Sequence, residues 1–181
     1  MNAFGWACAA LLAVVGFWSV GAYNRLMTLR NAITEAFAQF EKHLRERASL
    51  CDRLLAQVSA ALPSEQATFD ALVQAQSEAL SAAQNARARP WSPDSIGGLA
   101  VATALQTAAQ TRLVSLLDHQ AELRQAQALD PLLDELKLIE RHRAFTRQVF
   151  NQAVEQYNDA LRQMPTRLLT PLFGFRPARS L

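Results

Sequence analysis

Residues 23–62 read YNRLMTLRNAITEAFAQFEKHLRERASLCDRLLAQVSAAL, and their spacing decides the fold. Apolar side chains fall at Leu26, Leu29, Ile33, Phe37, Phe40, Leu44, Ala48, Cys51, Leu55, Val58 and Leu62. The steps alternate between three and four, which puts them on one face of a single α-helix. The other faces carry Glu35, Gln39, Glu41, Arg45, Glu46 and Arg53. No proline or glycine interrupts the stretch, and Pro63 ends it.

Upstream, the helix has no reason to stop. From Ala3 to Tyr23 there is no charged side chain. That run of about 21 residues is close to what spans hydrocarbon. Trp6, Trp18 and Tyr23 stand toward its ends, where aromatic rings favour the interface. Residues 1–23 are therefore expected to be an uncleaved transmembrane anchor. The rival is a cleaved signal peptide on an exported protein. No basic residue precedes the run, although Val20-Gly21-Ala22 is a tolerable cleavage site. Lys and Arg are absent ahead of the run, while Arg25, Arg30, Lys42, Arg45 and Arg47 follow it. The positive-inside rule then predicts a single-pass protein of the cell membrane, N-terminus outside and remainder cytoplasmic.

Downstream, residues 24–165 read as a helical domain. A second segment, Glu65 to about Arg87, carries a weaker stripe of Phe69, Leu72, Val73, Gln76, Ala79, Leu80 and Ala83. RARPWSPDSIGG, residues 87–98, breaks it, with Ser92-Pro93 as a good cap and first-turn pair. The third, Gly98 to about Ala128, carries Val101, Leu105, Ala109, Leu113, Leu116, Gln120 and Leu123. The fourth, Pro131 to Met164, carries Leu132, Leu136, Ile139, Phe145, Val149, Val154, Tyr157, Leu161 and Met164, and Pro165 closes it. The expected class is all-α: a transmembrane helix continuing into an antiparallel up-down-up-down four-helix bundle.

The composition fits. The chain has 181 residues, is 50% hydrophobic and holds only 6 glycines and 7 prolines. A net charge of +2 gives no nucleic-acid footprint. Cys8 and Cys51, on one continuous helix, would stand about 64 Å apart, which excludes a bridge between them. There is no CxxC, P-loop, GxSxG or GxGxxG.

YNRLMTLRNAITEAFAQFEKHLRERASL, residues 23–50, resembles the opening of the LemA family domain. ELKLIERHRAFTRQVFNQAVEQYNDALRQMP, residues 135–165, followed by LFGFRP at 172–177, resembles its end more closely. The family motifs fall here on Tyr23, Asn24, Leu29, Arg30 and Asn31, and on Asn151, Ala153, Val154, Tyr157, Asn158 and Pro165. The chain departs where the family usually has Ile-Pro-Asn, with Cys51-Asp52-Arg53, and its middle, 60–128, is divergent. The resemblance implies a single-pass membrane protein with a cytoplasmic helical bundle and no established enzymatic activity.

No catalytic, cofactor or metal site is expected. His43, His119 and His142 lack any HxxxH or ExxH pairing on one face, and the predicted inward stripes hold neither Glu nor His. An enzyme in the bundle core is therefore the weaker alternative to a membrane-anchored interaction or scaffolding module. Its expected partners are the lipid bilayer and other membrane proteins or further copies of itself. The basic, aromatic tail, residues 166–181, either packs on the bundle or lies at the membrane interface through Phe173, Phe175 and Arg176. The two Tyr-Asn pairs, Tyr23-Asn24 and Tyr157-Asn158, are expected at one pole of the bundle.

Overall fold

The computed structural model describes residues 3–163 and 166–181, with side chains throughout except at 3–5, 7–11, 168–169 and 171–172. Among them every regular element is helical. α1 runs unbroken from Ala3 to Val58, 56 residues, or about 84 Å. A 3-10 turn at Pro63–Glu65 leads into α2, Gln66–Arg87. α3 is Pro93–Asp118, α4 Ala121–Ala126, α5 Asp130–Arg162 and α6 Thr166–Phe173.

Two boundaries differ from expectation. The third segment starts at Pro93, five residues ahead of Gly98, because the proline presets the first helical φ. It also ends at Asp118 rather than near Ala128. Arg124 on the short α4 donates to Asp118 Oδ1 at 3.0 Å and to Asp130 Oδ1 at 2.6 Å. It thereby ties the end of α3 to the start of α5 through a sharp turn. That turn puts Ala128 in the left-handed region, φ 48°.

Cross-helix pairs fix the directions. Arg30 meets Tyr157, Arg47 meets Glu140 and Arg53 meets Glu135, so α1 and α5 are antiparallel. Glu41 meets Arg87 and Asp52 meets Gln76, so α1 and α2 are antiparallel. Arg47 meets Thr107 and Cys51 meets Gln110, so α1 and α3 are parallel. The four long helices run up, down, up and down. α1 packs along α5 and α2 along α3; α1 also meets α2 and, through Arg47 and Cys51, α3. The α3–α5 seam is the open one: two cavities lie along it, and Arg143 bridges it by donating to Thr107 at 3.5 Å.

The apolar core forms two clusters. One gathers around Phe37, Phe40, Leu99, Phe150 and Tyr157, the other around Leu54, Phe69, Leu113 and Leu136. α3 turns a different face inward than its apolar residues suggest. Val101 and Leu105 are 64% and 52% exposed, while Gln106 and Gln110 are buried. Phe145 and Val73 are likewise outside, with Thr146 and Phe150, and Leu72 and Ala75, inside. Met164 and Pro165 lie outside the described residues.

Among the described residues no helix is long and apolar enough to cross a membrane. Ten of the first eleven side chains lie outside the described set, and the apolar stretch that remains, residues 12–23, is shorter than the about 20 residues a span needs. The anchor expected at 1–23 is thus not supported by the described helices.

Candidate functional site: the strapped pole and the polar layer

The chain's last segment returns to the bundle. Gly174, φ 66°, takes the left-handed position that ends α6, and the Phe175 amide donates to Thr170 O at 3.2 Å. This six-to-one bond with glycine at the turn is a Schellman ending. Residues 175–181 then run without helix along α5 as a strap.

The strap is held by its main chain. Asn158 donates from Nδ2 to Ala178 O at 2.9 Å and accepts from the Ala178 amide at 2.8 Å. Asn151 does the same at Leu181, at 3.1 and 2.8 Å. The registers match: seven helical residues rise about 10.5 Å, and three extended residues cover about 10 Å. Tyr157 OH donates to Arg176 O at 3.1 Å. Arg147 adds two bonds to Leu181 O, at 3.0 and 2.8 Å.

A cation sits beneath the strap. The Arg30 guanidinium lies 4.4 Å from the Phe175 ring centroid, 5.0 Å from Trp91 and 5.7 Å from Tyr157. Its Nε donates to Tyr157 OH at 3.3 Å. Such stacking desolvates the charge at modest cost because each ring face is electron-rich. Burial pushes the Tyr157 phenol above its ordinary value, with Arg30 opposing. Tyr23 completes the group, 5.4 Å from Phe173 and 5.8 Å from Phe175 by ring centroid.

The residues singled out in the sequence thus separate. Tyr23, Arg30, Asn151, Tyr157, Asn158, Phe175 and the main chain of Arg176 converge at one pole. Ala153 and Val154 are buried beside them, and Leu29 packs against the same cluster. Asn24 and Asn31 point to solvent. Phe175 is buried, so its ring is closed to lipid; burying it under Arg30 gains more than leaving it exposed. Phe173 stays half exposed and the Arg176 side chain exposed. Trp91, Arg147 and Gly97 were not among the expected site residues. A side-chain carbon at Gly97 would stand 2.8 Å from the Arg179 guanidinium, so this glycine makes room for the strap.

Between the two apolar clusters lies a polar layer that the apolar stripes did not reveal. Arg47 is fully buried. It donates to Glu140 Oε1 at 2.9 Å, to Thr107 at 3.2 Å and to Gln106. Arg143 holds the second Glu140 oxygen at 2.9 Å. Burial alone would raise the Glu140 carboxyl; the two guanidiniums outweigh it and hold it below its ordinary range. Burial and Arg143 both lower Arg47, with Glu140 opposing. Cys51, next to the layer, is pushed up to about 12, chiefly by burial, so its thiol stays protonated and unreactive. The signal was present: Arg47 lies three residues after Leu44 and four before Cys51, on the inward stripe itself. Among the described residues no group of three His, Cys, Asp or Glu could hold a metal.

The family model described as the LemA family matches residues 36–181. The match takes in the polar layer, α5 and the strap, and begins downstream of Tyr23 and Arg30. No curated protein matches the chain.

Proposed function

The chain belongs to the LemA family, and on that premise we propose that it is a membrane-anchored, non-enzymatic interaction module, with the first turns of α1 in the bilayer and the bundle in the cytoplasm. The LemA family is not a known enzyme family. The observation that carries the reading is the character of α1 ahead of its first core residue, Leu26. There Leu12, Val14, Val15, Phe17 and Val20 project around the whole helix, Phe17 84% exposed, while the same helix continues unbroken into the core. A helix apolar all round needs an apolar medium. Downstream cations, beginning with Arg25 and Arg30, favour a cytoplasmic bundle. Its partners would be the lipid bilayer and other membrane proteins or copies of itself, with no nucleic acid.

Alkaline extraction of membranes from cells making the full chain tests the anchor. The chain should stay with the membrane pellet, and a Val14→Arg/Phe17→Arg variant should leave it. Recovery of the unaltered chain in the supernatant would sink the proposal. Reporter fusions at the two ends read the orientation. The rival, export after cleavage at Ala22, predicts an intact mass lacking residues 1–22; retention of Trp6 and Trp18 in the mature mass excludes it.

A further inference from the structure

At the strapped pole the chain gathers positive charge from distant segments. No acidic residue occurs before Glu35 or after Asp159, and the cations of those two stretches are Arg25, Arg30, Arg162, Arg167, Arg176 and Arg179. The fold brings them to one end. Arg25 donates to Gln163 Oε1 at 3.1 Å, so the end of α5 lies beside the turn of α1 that follows Tyr23. Tyr23 meets Phe173, so the end of α6 lies there too. Arg30 is covered by Phe175 and Trp91, and Arg179 lies against Gly97. The side chains of Arg25, Arg162, Arg167 and Arg176 are exposed. We propose that this pole seats on an anionic phospholipid surface, with one headgroup phosphate held between Arg162 and Arg167.

This charge is not neutralised within the chain. Arg25 has a neutral amide as its partner. Arg162 approaches Asp159 only to 3.8 Å, with both side chains largely in solvent, where such a pair contributes little. Among the described residues Arg167 and Arg176 enter no ion pair, and the segments that carry them hold no acid. Between Arg162 and Arg167 lies a cavity of about 230 Å³, with Leu161, Phe175 and Pro177 as its apolar wall. Its other polar groups are engaged: Asn158 with Ala178, and the Thr170 hydroxyl with Arg167 O. The two guanidiniums are left to meet an anion, and their planar donor sets match phosphate oxygens.

The neighbourhood selects a lipid surface over an acidic protein. The cations stand at the foot of the all-round apolar turns of α1, where Phe17 and Val20 are exposed. At the junction Tyr23 and Phe173 are half exposed, 39% and 46%. Aromatic rings beside arginines at the end of an apolar helix match the headgroup layer, with rings at the interface and guanidiniums on the phosphates. Arg25 lies two residues past Tyr23, about 3 Å along the axis. A surface that takes Tyr23 therefore lies well within a Debye length of about 8 Å from Arg25. The net excess of cations favours anionic over zwitterionic lipid.

The inference rests on the membrane-facing pole of the proposed function and deepens it by naming the lipid. Detergent covers the apolar turns whether or not they span a bilayer, so membrane extraction and lipid selectivity fail separately. The test follows thermal unfolding of the full chain in dodecylmaltoside micelles as diheptanoyl phosphatidylglycerol is added, with the phosphatidylcholine counterpart as control. A ligand of the folded state raises the melting temperature with concentration, which yields an apparent affinity. Phosphatidylglycerol should raise it more than phosphatidylcholine, and less as salt increases. Arg162→Gln and Arg167→Gln, both at exposed positions, should each weaken that affinity about fivefold and melt like the parent without lipid. Arg112→Gln removes the same charge from exposed α3, about 40 Å along the bundle from Arg25, and should leave it unchanged. An equal effect of the two lipids, or an affinity that survives Arg162→Gln with Arg167→Gln, overturns the proposal. So does an equal loss in Arg112→Gln, or an equal rise with inorganic phosphate or polyglutamate, which would give the pole to a soluble anion or an acidic polypeptide.

Discussion

Asn158 and Ala178 form a closed ring of two hydrogen bonds, side-chain amide to main chain, across 20 residues of sequence. The arrangement reads backbone rather than side chain, so it fixes where the strap lies and leaves residues 176, 177 and 179 free to vary. Asn158→Leu removes both the acceptor and the donor. It should cost about 1–3 kcal/mol and release the strap. Hydrogen exchange at the Ala178 and Leu181 amides reports this directly: both should be protected in the parent and exchange much faster in the variant. Equal protection would mean that Asn151, Tyr157 and Arg147 hold the strap without Asn158.

Arg47 and Glu140 form an ion pair with one partner fully buried. Removing the carboxylate strands the buried guanidinium, so Glu140→Leu should destabilise the fold by about 3–5 kcal/mol. Arg47→Met with Glu140→Leu should recover most of that loss. Thermal unfolding followed by circular dichroism compares the three. A double variant as unstable as the single one would show that Gln106 and Thr107, not the stranded charge, account for the cost.

The same layer sets a pH window. The Glu140 carboxyl is held below its ordinary value of 4.5, so its stabilisation is complete above that value and disappears as pH falls through the folded-state value. Glu140→Gln should therefore narrow the stability difference between pH 6 and strongly acidic solution. On the alkaline side the sign reverses. Cys51 stays protonated to about 12, against an ordinary 9.0. The unfolded chain ionises first, and stability falls as pH rises between those two values. Cys51→Ala should shallow that alkaline slope, to which the raised Tyr157 phenol also contributes, while leaving the acid one.

Ala128 has a φ of 48° at the turn into α5. An L-residue pays about 1–2 kcal/mol for that conformation, and glycine does not. Ala128→Gly should raise the melting temperature by a few degrees, corresponding to about 0.5–1 kcal/mol once glycine's larger unfolded-state freedom is subtracted. A lower melting temperature would mean that the turn holds the alanine methyl in a contact worth more than the strain.

Much of the fold is written in periodicity. The stripe from Leu26 to Val58 and the helix stops at Pro63 and Pro90 are local signals, and they locate α1 and α2 well. α3 resisted because its apolar and polar residues are spread around the helix, so choosing the apolar face selected Val101 and Leu105. The true inward face carries Gln106 and Gln110, which are inside only because Arg47 and Cys51 on α1 give them partners. That information sits about 60 residues away and has no local trace. The strap divides similarly. Tyr157, Asn158 and Phe175 stood out as motif residues, but not that the motif in α5 and the motif in the tail are two halves of one joint.

The unbroken course of α1 through Tyr23 has a consequence of phase. Each residue of a helix advances it by about 1.5 Å and turns it by about 100°. With no hinge between Val20 and Leu26, the apolar turns and the core stripe share one fixed azimuth. A single residue inserted after Ala22 would lift the bundle and swing its open seam by more than a quarter turn relative to the first turns of α1. Four inserted residues would bring the seam nearly back into line, about 6 Å further along the axis.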